Sequence, residues 1–200
     1  MGRVIKFPVN ASPRFKLKPV LSKKSKKGAE SQLDIFKSPD SKLVQMSGSL
    51  SPFEEALIYD ENGNLKARAM YEKAISMNDH SPDAWCNLGI IEYLEGNKSK
   101  AVSCFTHSLK EDPRHFEAHY NLANVYLDIE NLELARLHYE VAAEIDPEHA
   151  DVFYNLAVVY AMEKEFEKAI DSLENHLKLV SQKDSNDARG FLLSLKASIE

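Results

Sequence analysis

The sequence has few glycines, few cysteines and no long apolar run. Its 200 residues include 7 glycines, fewer than many short strands joined by tight turns would need. Cys86 and Cys104 are too few for a disulfide framework, and no C-x-x-C motif is present to indicate a redox or structural zinc site. No stretch approaches the roughly 18 apolar residues of a membrane span. These absences favour an all-helical protein without a transmembrane segment.

Recognisable targeting signals are also missing. The amino terminus carries basic residues but no apolar core after them, so it does not resemble a secretory signal. Lys6 stands where a myristoylation motif has Ser or Thr. We therefore expect a cytoplasmic protein.

Charge is distributed unevenly along the chain. Residues 1–29 contain nine basic and no acidic residues, so with a net charge of −6 the remainder carries −15. Residues 1–48 have few apolar positions and are predicted to be a disordered basic tail. This tail either keeps the protein in solution, contacts nucleic acid or anionic lipid through residues 1–29, or docks onto an acidic groove of the same chain.

The rest of the chain repeats with a period of 34 residues. The period is set by four alanines, each followed four positions later by a large apolar residue in every unit. The alanines are Ala67, Ala101, Ala135 and Ala169, and the apolar residues are Tyr71, Phe105, Tyr139 and Leu173. Three similar segments, beginning at Trp85, His119 and Phe153, precede the last three alanines. Self-similarity at this period is typical of a helix-turn-helix solenoid.

The segment from Trp85 to Pro113 reads W-x-x-L-G, then A-x-x-x-F, then P. It resembles the tetratricopeptide repeat family, and the resemblance extends over about residues 49–180. It implies an all-α, right-handed superhelical solenoid of four repeats. It also implies that the first helices of successive units line a concave groove that binds peptides.

Several small or helix-breaking residues fit this architecture on physical grounds. Gly89 and Ala101 are small where the two helices of a unit are expected to cross closely. Pro113 and Pro147 are expected to end the second helix of their units, because proline cannot continue a helix. Gly96 lies at the turn inside a unit, where a left-handed residue is needed.

Both ends of the repeat array depart from the pattern. The first unit lacks the Trp-Asn-Leu-Gly signature, and its turn fits only if it is one residue shorter. The last unit is followed by a polar break and then by an amphipathic stretch, residues 185–200, with Phe191, Leu192, Leu195 and Ile199 on one helical face. We expect this stretch to be a capping helix over the last open edge.

Three asparagines recur in the first helices of the units. Asn87, Asn121 and Asn155 are each 34 residues apart. In members of the resembling family with such a ladder, the amides hold a ligand's main chain, and an amide has both the donor and the acceptor this requires. Alternatively, these asparagines satisfy only neighbouring groups of the chain itself.

Other polar and aromatic residues are expected on the same face. They are Tyr120, Tyr154, Asn124, Asp83, Glu117 and Asp151. The acids predict an acidic groove that favours a basic or neutral ligand, or they serve only to stabilise the amino-terminal ends of their helices. The face lacks the lysine and arginine with which some family members bind acidic chaperone tails, so we argue against that ligand.

No set of residues indicates catalysis or a cofactor. His115 and His119 are four residues apart, but no H-E-x-x-H motif is present, and we expect no metal site. There is no G-x-S-x-G motif and no phosphate-binding glycine-rich loop. We expect a non-enzymatic scaffold or adaptor that binds a protein or peptide in its groove. The alternative is an accessory protein whose basic tail contacts nucleic acid or an anionic membrane, or regulates the groove.

Overall fold

The structure, a computed structural model, describes residues 19–20, 50–181 and 185–199. Nine helices and no strand occur in these ranges. They are α1 (Pro52–Glu61), α2 (Lys66–Ser76), α3 (Ser81–Leu94), α4 (Lys98–Glu111), α5 (Phe116–Asp128), α6 (Leu132–Ile145), α7 (Ala150–Met162), α8 (Phe166–Leu179) and α9 (Asn186–Ile199). Within the described ranges, no helix combines the length and the apolar character needed to cross a bilayer.

The first eight helices form four antiparallel pairs that stack one on the next. α1 packs on α2, α3 on α4, α5 on α6 and α7 on α8, and each pair then contacts its neighbour. One buried cluster, for example, combines Tyr120 of α5 and Tyr139 of α6 with Val152 of α7. Because each core cluster draws on adjacent pairs, no single pair buries its apolar face alone. The predicted all-α solenoid is confirmed.

The turns inside the pairs adopt the left-handed conformation that the sequence indicates. Gly63, Gly96, Glu130 and Lys164 all have positive φ, between 59° and 84°. Gly63 lies four positions before the repeat alanine of its unit, Ala67, whereas Gly96 lies five positions before Ala101, and the later units also have five. This difference confirms the shorter first turn. The second helices α4 and α6 end at Glu111 and Ile145, just before the two prolines.

The crossing inside the second pair depends on the absence of a side chain at position 89. A Cβ built on Gly89 would lie 2.7 Å from Cε1 of Phe105 on α4. Such a distance is shorter than real Cβ contacts, so the ring packs directly against the glycine backbone.

Each end of the array has its own termination. At the start, Ser51 and Glu54 form a reciprocal capping box on α1. In addition, the Phe53 amide donates to the Asp79 carboxylate at 2.8 Å. At the other end, α9 buries Phe191 and Leu195 in a cluster with Leu173 and Tyr154. This helix is the predicted cap.

The predicted disordered tail, residues 1–48, lies outside the described residues apart from Pro19 and Val20. At those two positions the backbone is described, and the Val20 side chain is 5% exposed.

Candidate peptide-binding groove

The three repeat asparagines occupy the same position in three successive first helices. Asn87 lies on α3, Asn121 on α5 and Asn155 on α7. All three are fully buried, and buried amides require hydrogen-bond partners. Their partners therefore define what this face of the molecule does.

Asn87 binds the main chain of a distant segment of the same polypeptide. The Val20 amide donates to Oδ1 of Asn87 at 2.8 Å, and Nδ2 of Asn87 donates to the Val20 carbonyl at 2.9 Å. One side-chain amide thus pairs with both main-chain groups of one residue, as a neighbouring strand would in a sheet.

A second pair of bonds determines which way the Asn87 amide points. Nδ2 of Asn87 also donates to the Tyr71 hydroxyl at 3.2 Å, and that hydroxyl donates to Oδ2 of Asp60 at 3.0 Å. Burial and the neighbouring Asp60 carboxylate raise the pKa of Tyr71, so the phenol stays protonated. Because the Tyr71 hydroxyl donates its proton to Asp60, its oxygen can only accept a hydrogen bond from Nδ2 of Asn87. Oδ1 of Asn87 therefore points towards Val20.

Asn121 and Asn155 contact side chains of the preceding unit. Nδ2 of Asn121 lies 3.6 Å from Sγ of Cys86, and Nδ2 of Asn155 lies 3.5 Å from the Tyr120 hydroxyl. Nδ2 of Asn155 also donates to Oδ1 of Asn124 at 3.3 Å. The same residue type at the same repeat position therefore has different partners along the array.

The other uncharged residues predicted for the site lie deep in the packing. Tyr120 is fully buried and forms an edge contact with Tyr139, and Tyr154 forms one with Phe191. Asn124 is also buried, and its Oδ1 accepts a hydrogen bond from the Tyr139 hydroxyl at 2.5 Å. Of these three, Tyr120 and Asn124 contact the amide of Asn155 directly.

The three predicted acids lie in the first turns of α3, α5 and α7, one turn before the asparagines. Asp83 accepts from Nε2 of His115 at 2.9 Å, which joins α3 to the start of α5. Burial favours a higher pKa for Asp83, but hydrogen bonds from His115 and His80 outweigh it and lower that pKa. Glu117 and Asp151 are half-buried, and Glu117 lies 3.7 Å from Nδ1 of His115. The nine assignments to a ligand site stay predictions.

The sequence comparisons agree with the helix pairs. Two sequence models described as tetratricopeptide repeat match residues 95–150 and 138–171. Residues 95–171 therefore carry tetratricopeptide repeats.

A relative among known proteins also contains TPR repeats. The TPR repeat-containing thioredoxin TTL4 of Arabidopsis thaliana is 28% identical over 105 residues, which are 52% of this chain and 14% of that protein. The chain thus spans only a small part of this relative's length.

Solved tetratricopeptide structures share the fold. A tetratricopeptide repeat protein from Parabacteroides merdae superposes with a TM-score of 0.65 at 20% identity, over 74% of this chain and 59% of that one. A MamA double mutant gives 0.58 at 21% identity, over 72% and 90%. The first tetratricopeptide domain of Spaghetti (RPAP3), solved with the HSP90 peptide SRMEEVD, gives 0.51 at 17%, over 56% and 86%.

The histidines of this tetratricopeptide array serve separate contacts. His115 pairs with Asp83 and also accepts from the Ala118 amide at 3.1 Å, whereas His119 pairs with His138. Among the described residues, no group of three or more His, Cys, Asp or Glu side chains is arranged to hold a metal ion.

Two participants in the site were missed by sequence reasoning. Val20 stands in a segment without helical or strand periodicity, so no pattern placed it near Asn87. Tyr71 was assigned to the core from its repeat position, and its fully buried ring does pack there. Its hydroxyl was a usable signal, because a buried tyrosine generally has a hydrogen-bond partner.

Proposed function

We propose that this chain is a non-enzymatic protein-interaction module whose groove binds the main chain of an extended peptide from a partner protein. The groove is the face formed by α3, α5 and α7, with the three repeat asparagines along it. The observation that carries this proposal is the two-bond pairing between Asn87 and the main chain of Val20.

This pairing supports binding through the peptide backbone. A residue whose N–H and C=O both point to one partner has an extended conformation. Because main-chain groups are common to all peptides, they supply affinity, and side-chain pockets supply selectivity. The charges of Asp60, Glu61 and Asp83 near this position favour a basic or neutral ligand.

The test is capture of partner proteins by the full chain and by two variants. Asn87→Ala removes the main-chain pairing. Asn175→Ala is the matched control. This asparagine lies on α8, a second helix, and its side chain accepts a hydrogen bond from the exposed Lys178. A partner lost with Asn87→Ala and kept with Asn175→Ala supports the proposal, provided both variants keep their helicity. Partners retained by Asn87→Ala, and also by the triple alanine variant at Asn87, Asn121 and Asn155, contradict it.

The charge distribution favours a second candidate function, in which residues 1–29 contact nucleic acid or an anionic membrane while the repeats recruit a partner. The nine basic residues without an acid in this range are the observation behind it. Binding to DNA that weakens steeply with salt, and that is lost on deleting residues 1–29, supports this candidate. An absence of binding at low salt removes it.

A further inference from the structure

The pairing at Asn87 joins the groove to a distant segment of the polypeptide. Its occupant is a piece of this same chain, 67 residues away in sequence, held by two main-chain hydrogen bonds. The contact is therefore long-range, and regular helix packing does not require it.

The Val20 side chain is packed into the core beside Asn87. Val20 is 5% exposed and belongs to the buried cluster that contains Cys86, Ile90 and Leu122. Pro19 lines a cleft of about 240 Å³ with Leu57 and Ile90. The dipeptide therefore crosses from α1 and α3 towards α5, over the first helices of the units.

Charge complementarity between the basic amino-terminal residues and the acidic repeats also favours this contact. Asp60 and Glu61 line the cleft beside Pro19, and Lys18 directly precedes Pro19 in the sequence. Residues 1–29 carry +9 against −15 in the remainder of the chain. A basic segment tethered to an acidic array is attracted to it at ordinary ionic strength.

We propose that the dipeptide Pro19-Val20 is an intramolecular ligand that occupies the Asn87 position and excludes other peptides until a partner segment of the same chemistry replaces it. That competing segment is an extended, lysine-rich peptide with a β-branched apolar residue at the position of Val20. This inference rests on the proposed function and specifies its ligand and its regulation.

The geometry of the Asn87–Val20 contact sets two requirements for the competing peptide. Its central residue needs a free N–H for Oδ1 of Asn87, so proline is excluded there. Its side chain enters an apolar cluster, so a charged side chain at this position is rejected. Isoleucine retains both requirements and is the conservative replacement.

The experiment measures binding of a fluorescent synthetic peptide of residues 12–28 to full-length chains. The wild-type chain is compared with Val20→Asp, whose own segment no longer fits, and with Val20→Ile as the matched control. A tethered ligand reaches an effective concentration on the order of millimolar, so we expect Val20→Asp to bind the added peptide at least about tenfold more tightly than wild type. Val20→Ile should behave like wild type. Peptides that carry Val20→Pro or Val20→Asp should bind the released groove at least about tenfold more weakly than the parent peptide.

The double variant Val20→Asp/Asn87→Ala separates the two proposals. Suppose that the peptide binds the wild-type and Val20→Asp chains equally, and that adding Asn87→Ala to either chain abolishes binding. The groove then binds peptides, but the proposal that Pro19-Val20 occupies it is wrong. If Asn87→Ala leaves binding to Val20→Asp unchanged, or if no chain binds the peptide, groove binding through Asn87 is wrong, and the intramolecular ligand with it.

A direct measurement tests the contact without any added ligand. The Val20 amide should exchange its hydrogen slowly in the wild-type chain and lose that protection in Asn87→Ala, with the helical amides of α5 as an internal check of folding. Rapid exchange in wild type overturns the proposal. Protection should be independent of protein concentration. Protection that disappears on dilution, together with self-association, identifies a second copy as the source of the segment and also overturns it.

Discussion

The first and last asparagines of the ladder are identical in type and repeat position, yet their surroundings differ. Asn87 pairs with the main chain of Val20 and with the Tyr71 hydroxyl. Asn155 contacts the Tyr120 hydroxyl and Asn124, both of which belong to the neighbouring unit. A repeat position therefore determines where an amide lies, while its partners depend on the groups that adjacent units and other segments of the chain place beside it. The two ends of the groove should respond differently to the same substitutions.

The largest expected effect concerns the glycine beside Asn87. Ala123 and Ala157 occupy the corresponding position in the next two units, but at Gly89 a Cβ would meet the Phe105 ring at 2.7 Å. We expect Gly89→Ala to lower the free energy of unfolding by about 1–3 kcal/mol through overpacking. Urea denaturation measures this change.

Two further variants act as controls for this prediction. Gly190→Ala on α9, where an added Cβ meets no atom within 4 Å, should stabilise by up to about 1 kcal/mol through helix propensity. Phe105→Leu, the residue type found at Leu173 in the last unit, should relieve the cost of Gly89→Ala in the double variant. A Gly89→Ala protein as stable as wild type contradicts the close crossing.

The next effect compares the two ends of the ladder directly. Asn155→Ala should cost about 1–3 kcal/mol of unfolding free energy, because Tyr120 and Asn124 are fully buried and water cannot replace the lost amide. Asn87→Ala should cost less, about 1 kcal/mol, because the Val20 main chain can return to water while Tyr71 keeps its bond to Asp60. Thermal or urea unfolding of both variants gives the order. The reverse order would show that the Val20 contact is the larger part of the stability at this end.

The smallest effect is a dependence on pH that arises from a pair of histidines in the third unit. Nε2 of His119 donates to the Pro113 carbonyl at 3.1 Å, so its Nδ1 accepts from His138 at 3.0 Å. Burial, with a contribution from His119, lowers the pKa of His138 to about 4. Burial also lowers the pKa of His119. The corresponding positions in the units on either side are Trp85 with Cys104 and Phe153 with Ser172.

The direction in which stability changes with pH follows from the number of protons that the folded and unfolded chains bind. Between pH about 6.5 and 4 the unfolded chain binds more protons at His138 than the folded chain does, so stability falls as pH decreases through this range. We expect a loss of about 1 kcal/mol or less, because His138 keeps part of its surface in water. His138→Ser, with the residue type of Ser172, should reduce the difference between urea midpoints at pH 7.5 and pH 5. If His138→Ser leaves the difference between the two urea midpoints unchanged, the histidine pair is not the source of the pH dependence.

Much of the fold could be read from the sequence because it depends on short-range rules. The 34-residue spacing of the alanines, the prolines after α4 and α6, and the left-handed turn at Gly96 each reflect a local constraint on backbone geometry. Even the shorter first turn at Gly63 was visible as a displacement of the repeat pattern. The capping helix was visible as well, because Phe191 and Leu195 lie one turn apart.

The groove was less predictable because its contacts join residues far apart in sequence. Nothing in the pattern indicates that Asn87 pairs with the main chain of Val20, or that Asn155 contacts the Tyr120 hydroxyl and Asn124. The pairing of His119 with His138 was missed for the same reason, since the pattern offered His115 as the neighbour.

The sequence by itself determined the period, the helix pairs and the positions at which polar side chains recur on the first helices, because these follow from helix geometry and repeat length. Only the tertiary structure decided which partner each buried amide has. A buried amide takes its hydrogen bonds from whatever donor or acceptor the stacked units and the chain's own segments bring within about 3 Å. Val20 is the clearest case, since its main chain is bound by Asn87, which is 67 residues away in sequence.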